Sequence, residues 1–159
     1  MRKDDLVPPR AGYQGRIGGP ECVVQTLPMA VIRAQFRNLA GTEASVGTTD
    51  GKSVVVDRPP GKAGGQGLGF NGGQLLALAI GGCLCNDLQY AAHAGDITLG
   101  AFGLSVDVEI SDSGDVTAVN VEVQPLADNR DRIDRVLEGA VARSTVRNAV
   151  RNGVPLTVQ

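Results

Sequence analysis

Residues 57–85, DRPPGKAGGQGLGFNGGQLLALAIGGCLC, lead from a glycine-rich loop directly into an apolar stretch that carries two of the three cysteines. Asn71 can act as an N-cap, and Gln74, three residues later, can bond back to the Asn71 amide, which is the pattern of a capping box. We therefore predict a helix that begins at Asn71 and ends near His93, with Gly95 as its C-cap.

The predicted helix carries apolar side chains around most of its circumference instead of along one stripe. The residues concerned are Leu75, Leu76, Leu78, Ala79, Ile80, Leu84 and Leu88. This distribution predicts that the helix is buried on most sides, because a surface helix keeps one polar face. We accordingly expect Cys83 to lie deep in the protein.

Length and composition indicate one ordinary globular domain. The chain has 159 residues, of which 42% are hydrophobic and 20% charged, and a chain of this size can bury a single core. Residues 1–28 are basic, then polar, without the apolar segment of a secretory signal. We expect a flexible N-terminal arm over residues 1–28 and one domain over residues 29–159.

Charge and hydropathy weigh against several classes of function. The net charge of −2 gives no global electrostatic reason to bind nucleic acid. Basic and acidic residues alternate near the C-terminus, which indicates a solvated, ion-paired face. No apolar run reaches the roughly 18 to 20 residues that span a bilayer. An odd cysteine count without a signal indicates reduced thiols and a cytoplasmic protein. We therefore expect neither a nucleic-acid partner nor a membrane partner.

Short β-like runs precede the glycine-rich loop. The turn Asp50-Gly51 between the last two runs is typical of a β-hairpin. The sequence therefore predicts an N-terminal β-meander. Its four runs are residues 22–27, 30–37, 43–46 and 53–57.

A second hairpin is predicted after the cysteine helix. Residues 102–110 alternate between apolar and polar side chains, which indicates a half-buried strand. The turn SDSGD then leads to a partner strand with Val119, Val121 and Val123 facing inward.

The C-terminal third predicts helices and a last strand. Apolar residues from Ile133 to Val141 recur at helical spacing behind an acidic first turn, which predicts an amphipathic helix. We expect Ser144 to cap a short helix over residues 145–152, which Gly153 ends. The alternation of residues 154–158 then predicts a final strand.

The order of these elements resembles the OsmC/Ohr superfamily of thiol peroxidases and their OsmC-like relatives. The resemblance covers roughly residues 30–158 and is carried by VVVDRPPGKAGGQGLGFNGGQLLALAIGGC (residues 54–83) and ARSTVRNAVRNGVPLTV (residues 142–158). It implies an α+β fold in an intertwined homodimer. Strands of both subunits would form sheets around two central helices, with the active sites near the subunit interface.

The resemblance also implies a role for Cys83. In catalytic members of the superfamily a peroxidatic cysteine at this position attacks a small organic hydroperoxide, and an arginine and a glutamate poise its thiolate. The glutamate position is Gly73 in this chain, with the neutral Gln74 beside it. A second cysteine, which resolves the sulfenic acid, would stand where this chain has Ser144, and a serine cannot form a disulfide.

The supporting arginine is not fixed by the resemblance. Arg33, Arg37 and Arg58 are candidates by their proximity in sequence, with Arg58 and Arg37 as the expected stabilisers of the Cys83 thiolate. Burial in an apolar helix disfavours a charged group unless a cation or hydrogen-bond donors compensate, so thiolate chemistry at this position requires such a residue. Without the carboxylate that orients it, we expect slow attack.

Cys85 is the other candidate for resolving an oxidised Cys83. Side chains at positions i and i+2 of a helix point about 200° apart, so a disulfide between them would require local unwinding. Cys85 is therefore interpreted first as a small core residue. Cys83, Cys85 and His93 do not form the ligand pattern of a metal site, and we expect neither metal nor cofactor.

The leading hypothesis is a cytoplasmic homodimer that reduces small organic hydroperoxides through Cys83, with an external thiol reductant. The first alternative is a non-catalytic protein that binds a small apolar or acyl ligand in the interface pocket. The second is a thiol redox sensor, in which oxidation of Cys83 or Cys85 changes the packing of the dimer. Gly73 and Ser144 favour the alternatives, and Cys83 favours the enzyme.

Overall fold

The structure is a computed structural model that describes residues 30–158. The predicted arm over residues 1–28, the β-like run over residues 22–27 and Cys22 itself lie outside the described residues. The chain divides after Ile32, and every element described below belongs to the unit Arg33–Gln159. The single domain over residues 29–159 stays a prediction.

Three short antiparallel strands form the first sheet. They are β1 (Gln35–Asn38), β2 (Ser45–Thr49) and β3 (Lys52–Val56), in the order β1-β2-β3. Asp50 and Gly51 join β2 to β3 with φ angles of 46° and 72°, as a tight hairpin turn requires. The predicted meander is confirmed, although β1 begins five residues later than expected.

The long helix α1 (Gly72–Ala94) follows the glycine-rich loop as predicted. The Asn71 side chain accepts a hydrogen bond from the Gln74 amide at 3.0 Å, and the Gln74 side chain accepts one from the Asn71 amide at 2.9 Å. Both halves of the capping box are therefore present. Gly95 is the C-cap, and its amide donates to the carbonyls of the last turn.

The second sheet is the hairpin of β4 (Phe102–Ile110) and β5 (Val116–Pro125). Its register pairs Leu104 with Val123 and Val106 with Val121, so apolar side chains stand opposite each other on one face. The alternation predicted for residues 102–110 is confirmed, because Ser105, Asp107 and Glu109 are exposed while the intervening apolar residues are half-buried, except for exposed Ile110 at the strand end.

Two helices follow, α2 (Arg130–Arg143) and α3 (Thr145–Asn152). Asn129 stands at the N-cap position of α2, but its side-chain Nδ2 donates instead to the carbonyls of Leu99 and Ala101, at 2.7 and 2.8 Å. These bonds fasten the start of α2 to the loop before β4. Gly153 ends α3, as predicted, with a φ of 70°.

The core lies between α1 and α2, with β4 and β5 covering part of α1. Leu88 and Ile133, which belong to α1 and α2, are completely buried at its centre. The helices therefore contribute most of the buried apolar surface. The buried residues of the cluster are Leu84, Leu88, Ala92, Leu99, Ile133, Val136 and Ala140.

The prediction that α1 is buried on most sides is wrong for the single chain. Leu78 and Tyr90 are 54% and 69% exposed, and Cys83 is half-buried instead of deep. The reason is the limited cover in this chain: β4, α2 and α3 pack on α1, whereas β1, β2 and β3 pack mainly on one another. One side of α1 therefore keeps its apolar residues open to solvent.

The predicted last strand is also wrong. Residues 153–158 have no regular secondary structure, and Val154, Leu156 and Val158 are 68%, 88% and 89% exposed. A strand needs a neighbour that pairs with its backbone groups, and none of the described strands lies alongside this segment. The sequence of residues 154–158 alternates as a strand would, but within residues 30–158 no strand pairs with this segment.

Among the described residues, α1 is the one helix that is long and apolar enough to cross a membrane. The core helix of a water-soluble domain meets the same criterion. Packing against β4, α2 and α3 makes α1 the central helix of this unit.

Candidate functional site

Cys83 lies on the side of α1 that faces the junction between α2 and α3. Its thiol donates a hydrogen bond to Oδ2 of Asp87 at 3.4 Å, and the Ser144 hydroxyl donates to its sulfur at 3.5 Å. The sulfur therefore has a carboxylate acceptor on one side and a hydroxyl donor on the other. This arrangement places all three polar groups of the site on two elements, α1 and the α2–α3 junction.

Asp87 reaches the sulfur because it follows Cys83 by four residues on the same helix. Residues at this spacing share one helix face, so their side chains meet. Asp87 is half-buried. The sequence analysis missed this residue, although the spacing Cys-x-x-x-Asp within a predicted helix was a sufficient signal for it.

Ser144 occupies the point where α2 ends and α3 begins, and it is completely buried. Ser144 is the N-cap residue of α3, as predicted: its backbone carbonyl accepts from the Asn148 amide at 3.0 Å, whereas its hydroxyl makes no capping bond. The hydroxyl is turned towards α1 instead. A buried hydroxyl needs a partner, and Cys83 supplies it.

Position 73, where the resemblance implies a glutamate, lies against the end of the Ile110 side chain in this structure. A Cβ atom added to Gly73 would lie 2.7 Å from Cδ1 of Ile110, which is closer than such atoms approach. Gln74, the neutral neighbour, uses its side chain in the helix cap and is exposed. Nine residues of helix also separate it from Cys83, about 14 Å along the axis.

The three candidate arginines lie outside the hydrogen-bonded surroundings of Cys83. Arg58 forms an ion pair with Glu43, with Nη2 and Oε2 2.6 Å apart. Arg37 is exposed on β1, and Arg33 is exposed just before it. Within residues 30–158, the hydrogen-bond partners of Cys83 are the two described above. A role for Arg58 or Arg37 at the thiolate stays a prediction.

Cys85 faces another part of the fold. It lines a hollow of about 320 Å³ beside Leu104 and Val106 of β4, whereas Cys83 contacts Ser144. Both cysteines are free thiols. The opposite directions of the two side chains agree with the 200° offset of the helix, and they give Cys85 no direct approach to the Cys83 sulfur.

The glycine-rich loop before α1 is organised by Asp57. Its carboxylate accepts hydrogen bonds from the amides of Arg58 at 2.7 Å and of Gln66 and Leu68 at 3.0 Å. The Leu68 amide contributes most to lowering the pKa of Asp57 below its ordinary value, the Gln66 and Arg58 amides and the Arg58 charge add to this, and burial opposes it. An ionised Asp57 thus holds the loop that leads into α1.

An apolar groove of about 770 Å³ opens between α1, β5, α2 and α3. Its lining is mostly aliphatic, with Arg147 and Arg151 of α3 on its wall. The sequence analysis assigned the basic residues near the C-terminus, which include these arginines, to a solvated face. Helical periodicity shows which residues share a face, but it does not show that a groove lies between that helix and its neighbours. The aliphatic residues of the lining are Ile80, Leu84, Val116, Ala118, Val119, Val121, Val123, Leu137, Val141 and Val150.

Within residues 30–158, no three His, Cys, Asp or Glu side chains are grouped closely enough to hold a metal ion. The polar groups at the Cys83 site are a thiol, a carboxylate and a hydroxyl.

Comparison with known proteins gives a family match. Residues 64–159 match the model of the family described as OsmC-like protein. The matched segment includes α1 with Cys83, the β4–β5 hairpin and the α2–α3 junction with Ser144. A search of curated proteins gives no match.

Solved structures share the fold at low sequence identity. An organic hydroperoxide resistance protein OsmC from Legionella pneumophila is 18% identical, with a TM-score of 0.59 over 80% of this chain and 94% of that one. An organic hydroperoxide resistance protein from Elizabethkingia anophelis is 20% identical, with a TM-score of 0.58 over 79% and 91%. An OsmC-like protein from Mycoplasma pneumoniae is 17% identical, with a TM-score of 0.58 over 79% and 89%.

Proposed function

This chain belongs to the OsmC-like protein family, and from that membership we propose that it reduces small organic hydroperoxides through Cys83, with an external thiol as the reductant. Two relatives of the same fold carry the name organic hydroperoxide resistance protein. The observation that carries the proposal is the half-buried, free thiol of Cys83 on the central helix. It lies between the carboxylate of Asp87 and the hydroxyl of Ser144.

The external thiol follows from the surroundings of Cys83. After attack, the sulfenic acid must be reduced by another thiol. The resemblance places the resolving cysteine at Ser144, and Cys85 faces β4. A small thiol or a thiol protein of a reducing compartment would therefore complete the cycle, which is the basis for proposing a cytoplasmic location.

We also propose that the working form is a homodimer. Exposed apolar residues lie on one side of α1, on β1 and along residues 154–158, and groups of exposed apolar residues are typical of contact surfaces. A second copy would cover α1 and would give the C-terminal segment a strand to pair with. Leu78 on α1 is 54% exposed and Phe36 on β1 is 60% exposed.

The test of the activity is consumption of an organic hydroperoxide, such as cumene hydroperoxide, in the presence of dithiothreitol. The parent, Cys83→Ser and Cys85→Ser proteins are compared at matched concentrations. We expect Cys83→Ser to lose the activity and Cys85→Ser to retain it, since only Cys83 contacts the polar groups of the site. Equal consumption by Cys83→Ser and the parent would remove the proposal.

The groove supports a second candidate, the binding of an apolar ligand with an acidic end. Its aliphatic lining suits an acyl chain, and Arg147 and Arg151 are placed to pair with a carboxylate. Thermal-shift measurements with octanoate and octanol test it. We expect octanoate to stabilise the parent more than octanol does, and to lose this advantage in the Arg147→Gln, Arg151→Gln double variant.

A further inference from the structure

Resting on the proposed function of Cys83, we propose that Asp87 is the proton acceptor of the reaction and that Ser144 holds the sulfur and then its oxidised form. The family resemblance implies neither role, because it expects the carboxylate at position 73 and a cysteine at position 144. The structure instead brings a carboxylate and a hydroxyl to the thiol from different directions.

Asp87 is free of competing ionic partners in the described part of the chain. The two ion pairs found there join Arg58 to Glu43 and Arg130 to Asp134. The hydrogen bond that Asp87 makes through its side chain is the one it accepts from the Cys83 thiol. A half-buried carboxylate loses part of its hydration, and a thiol proton directed at it is already on the path of transfer.

The proton balance of the first step follows from this geometry. The S–H bond breaks as Asp87 takes the proton, the sulfur attacks the outer peroxide oxygen, and the O–O bond breaks. The hydroperoxide is reduced by two electrons to an alcohol, and Cys83 is oxidised by two electrons to the sulfenic acid. The proton held by Asp87 passes to the departing alkoxide, so the carboxylate is restored.

Ser144 acts on the other side of the sulfur. Its hydroxyl has no access to solvent and already donates to Sγ, so it can stabilise negative charge that develops there. Once the sulfur carries oxygen, the same hydroxyl can donate to that oxygen. The external thiol then attacks the held sulfenic sulfur and water leaves, and a second thiol releases Cys83 from the mixed disulfide.

A carboxylate beside a thiol slows the reaction with peroxide if it does not take the thiol proton. Its negative charge would then oppose the thiolate, and its removal would speed the reaction with peroxide. The sign of the rate change in Asp87→Asn therefore decides between the two roles. A purely structural role predicts neither a large change of rate nor rescue by an added acid anion.

The experiment measures single-turnover oxidation of Cys83 by cumene hydroperoxide, with a sulfenic-acid trap and mass spectrometry, in the full chain. The variants are Asp87→Asn, Asp87→Ala, Cys83→Ser and, as a matched control, Asp107→Asn on the exposed face of β4. We expect Asp87→Asn to react about 100-fold more slowly than the parent, the scale of general base catalysis. Formate should restore part of the rate in Asp87→Ala, and Asp107→Asn should match the parent.

The outcomes separate this inference from the proposed function. If Asp87→Asn reacts as fast as the parent or faster while Cys83→Ser is inactive, Asp87 is not the acceptor and the proposed function stands. If Cys83→Ser consumes peroxide like the parent, the proposed function fails. For Ser144→Ala we expect a several-fold shorter lifetime of the free sulfenic acid, measured by adding the trap after increasing delays, and an unchanged lifetime would overturn the role of Ser144.

Discussion

Two sets of segments in this chain differ in how far their apolar side chains are buried: the elements α1, β4, β5 and α2 form one set, and β1–β3 and residues 153–158 form the other. In the first, which we call the packed half, Leu88 and Ile133 are completely buried. In the second, the open half, Phe36 and Leu156 are 60% and 88% exposed. Both halves have clear apolar patterns, so an apolar pattern predicts which face is buried but not whether the covering surface belongs to the same molecule.

The difference also bears on Cys83. Its polar partners, Asp87 and Ser144, lie in the packed half and at its edge, so they are in place without a second chain. The candidate arginine Arg37 lies on β1 in the open half, and Arg33 lies just before that strand. Both are exposed in the single chain, so both are accessible to a second copy in the proposed homodimer.

The largest expected effect is on the packed half. Leu88→Ala should lower the free energy of unfolding by about 3 kcal/mol, because it leaves a cavity between α1 and α2. Chemical denaturation followed by circular dichroism measures this loss. Leu126→Ala, at a side chain 65% exposed, serves as the control and should cost less than about 0.5 kcal/mol. Equal losses in the two variants would contradict the burial of Leu88.

The open half gives the next prediction. Leu156→Asp should convert the proposed dimer into monomers, because a charge would be placed on a surface that the second copy covers. Sedimentation velocity at micromolar concentration measures the change. Thr157→Asp, one residue along and on the other side of an extended segment, is the control and should remain dimeric. A parent protein that is itself monomeric would leave the open half without its proposed partner.

The next prediction tests the contact between Cys83 and Ser144, which lies at the edge of the packed half. In Ser144→Cys the new thiol would stand opposite the Cys83 sulfur, since the present oxygen lies 3.5 Å from it. Mild peroxide should then produce an intramolecular disulfide, detected as the loss of two hydrogens in the intact mass. Thr145→Cys, at the exposed neighbouring position, should form no such bond with Cys83. Similar yields from both variants would contradict the observed direction of the Ser144 side chain.

The smallest effect concerns the loop between the two halves. The pKa of Asp57 is lower in the folded protein than its ordinary value of 3.8, so its contribution to stability is present above that value and is lost as the pH falls through the lowered pKa. Hydrogen exchange at the Gln66 and Leu68 amides should therefore gain extra acceleration in acid. Asp57→Asn should remove this pH dependence, and Asp96→Asn should retain it.

The sequence predicted the elements whose signals are local. The capping box of Asn71 and Gln74, the turn at Asp50 and the alternation of β4 are decided by neighbours in the chain, and all were located correctly. The last strand failed because the alternation of residues 154–158 depends on a pairing edge that the local sequence does not contain. The burial of α1 failed for the same reason.

The candidate site was predicted in part. Cys83 and Ser144 were singled out from the family resemblance, and the structure brings them together at the α2–α3 junction. Asp87 was not predicted, because the family resemblance places the carboxylate at position 73, whereas the i, i+4 spacing on the helix brings Asp87 to Cys83. The direction of the Ser144 hydroxyl depends on the packing of α1 against the junction, which no local pattern encodes.

The side chain of Ile110 limits the space at position 73. Restoring a glutamate by the single substitution Gly73→Glu would force its Cβ against Cδ1 of Ile110, 2.7 Å away. Cδ1 is the far end of a flexible side chain, and Ile110 is 51% exposed, so a change of its rotamer would make room for the new residue. The space at residue 73 is therefore set by the conformation of a side chain 37 residues away on another element.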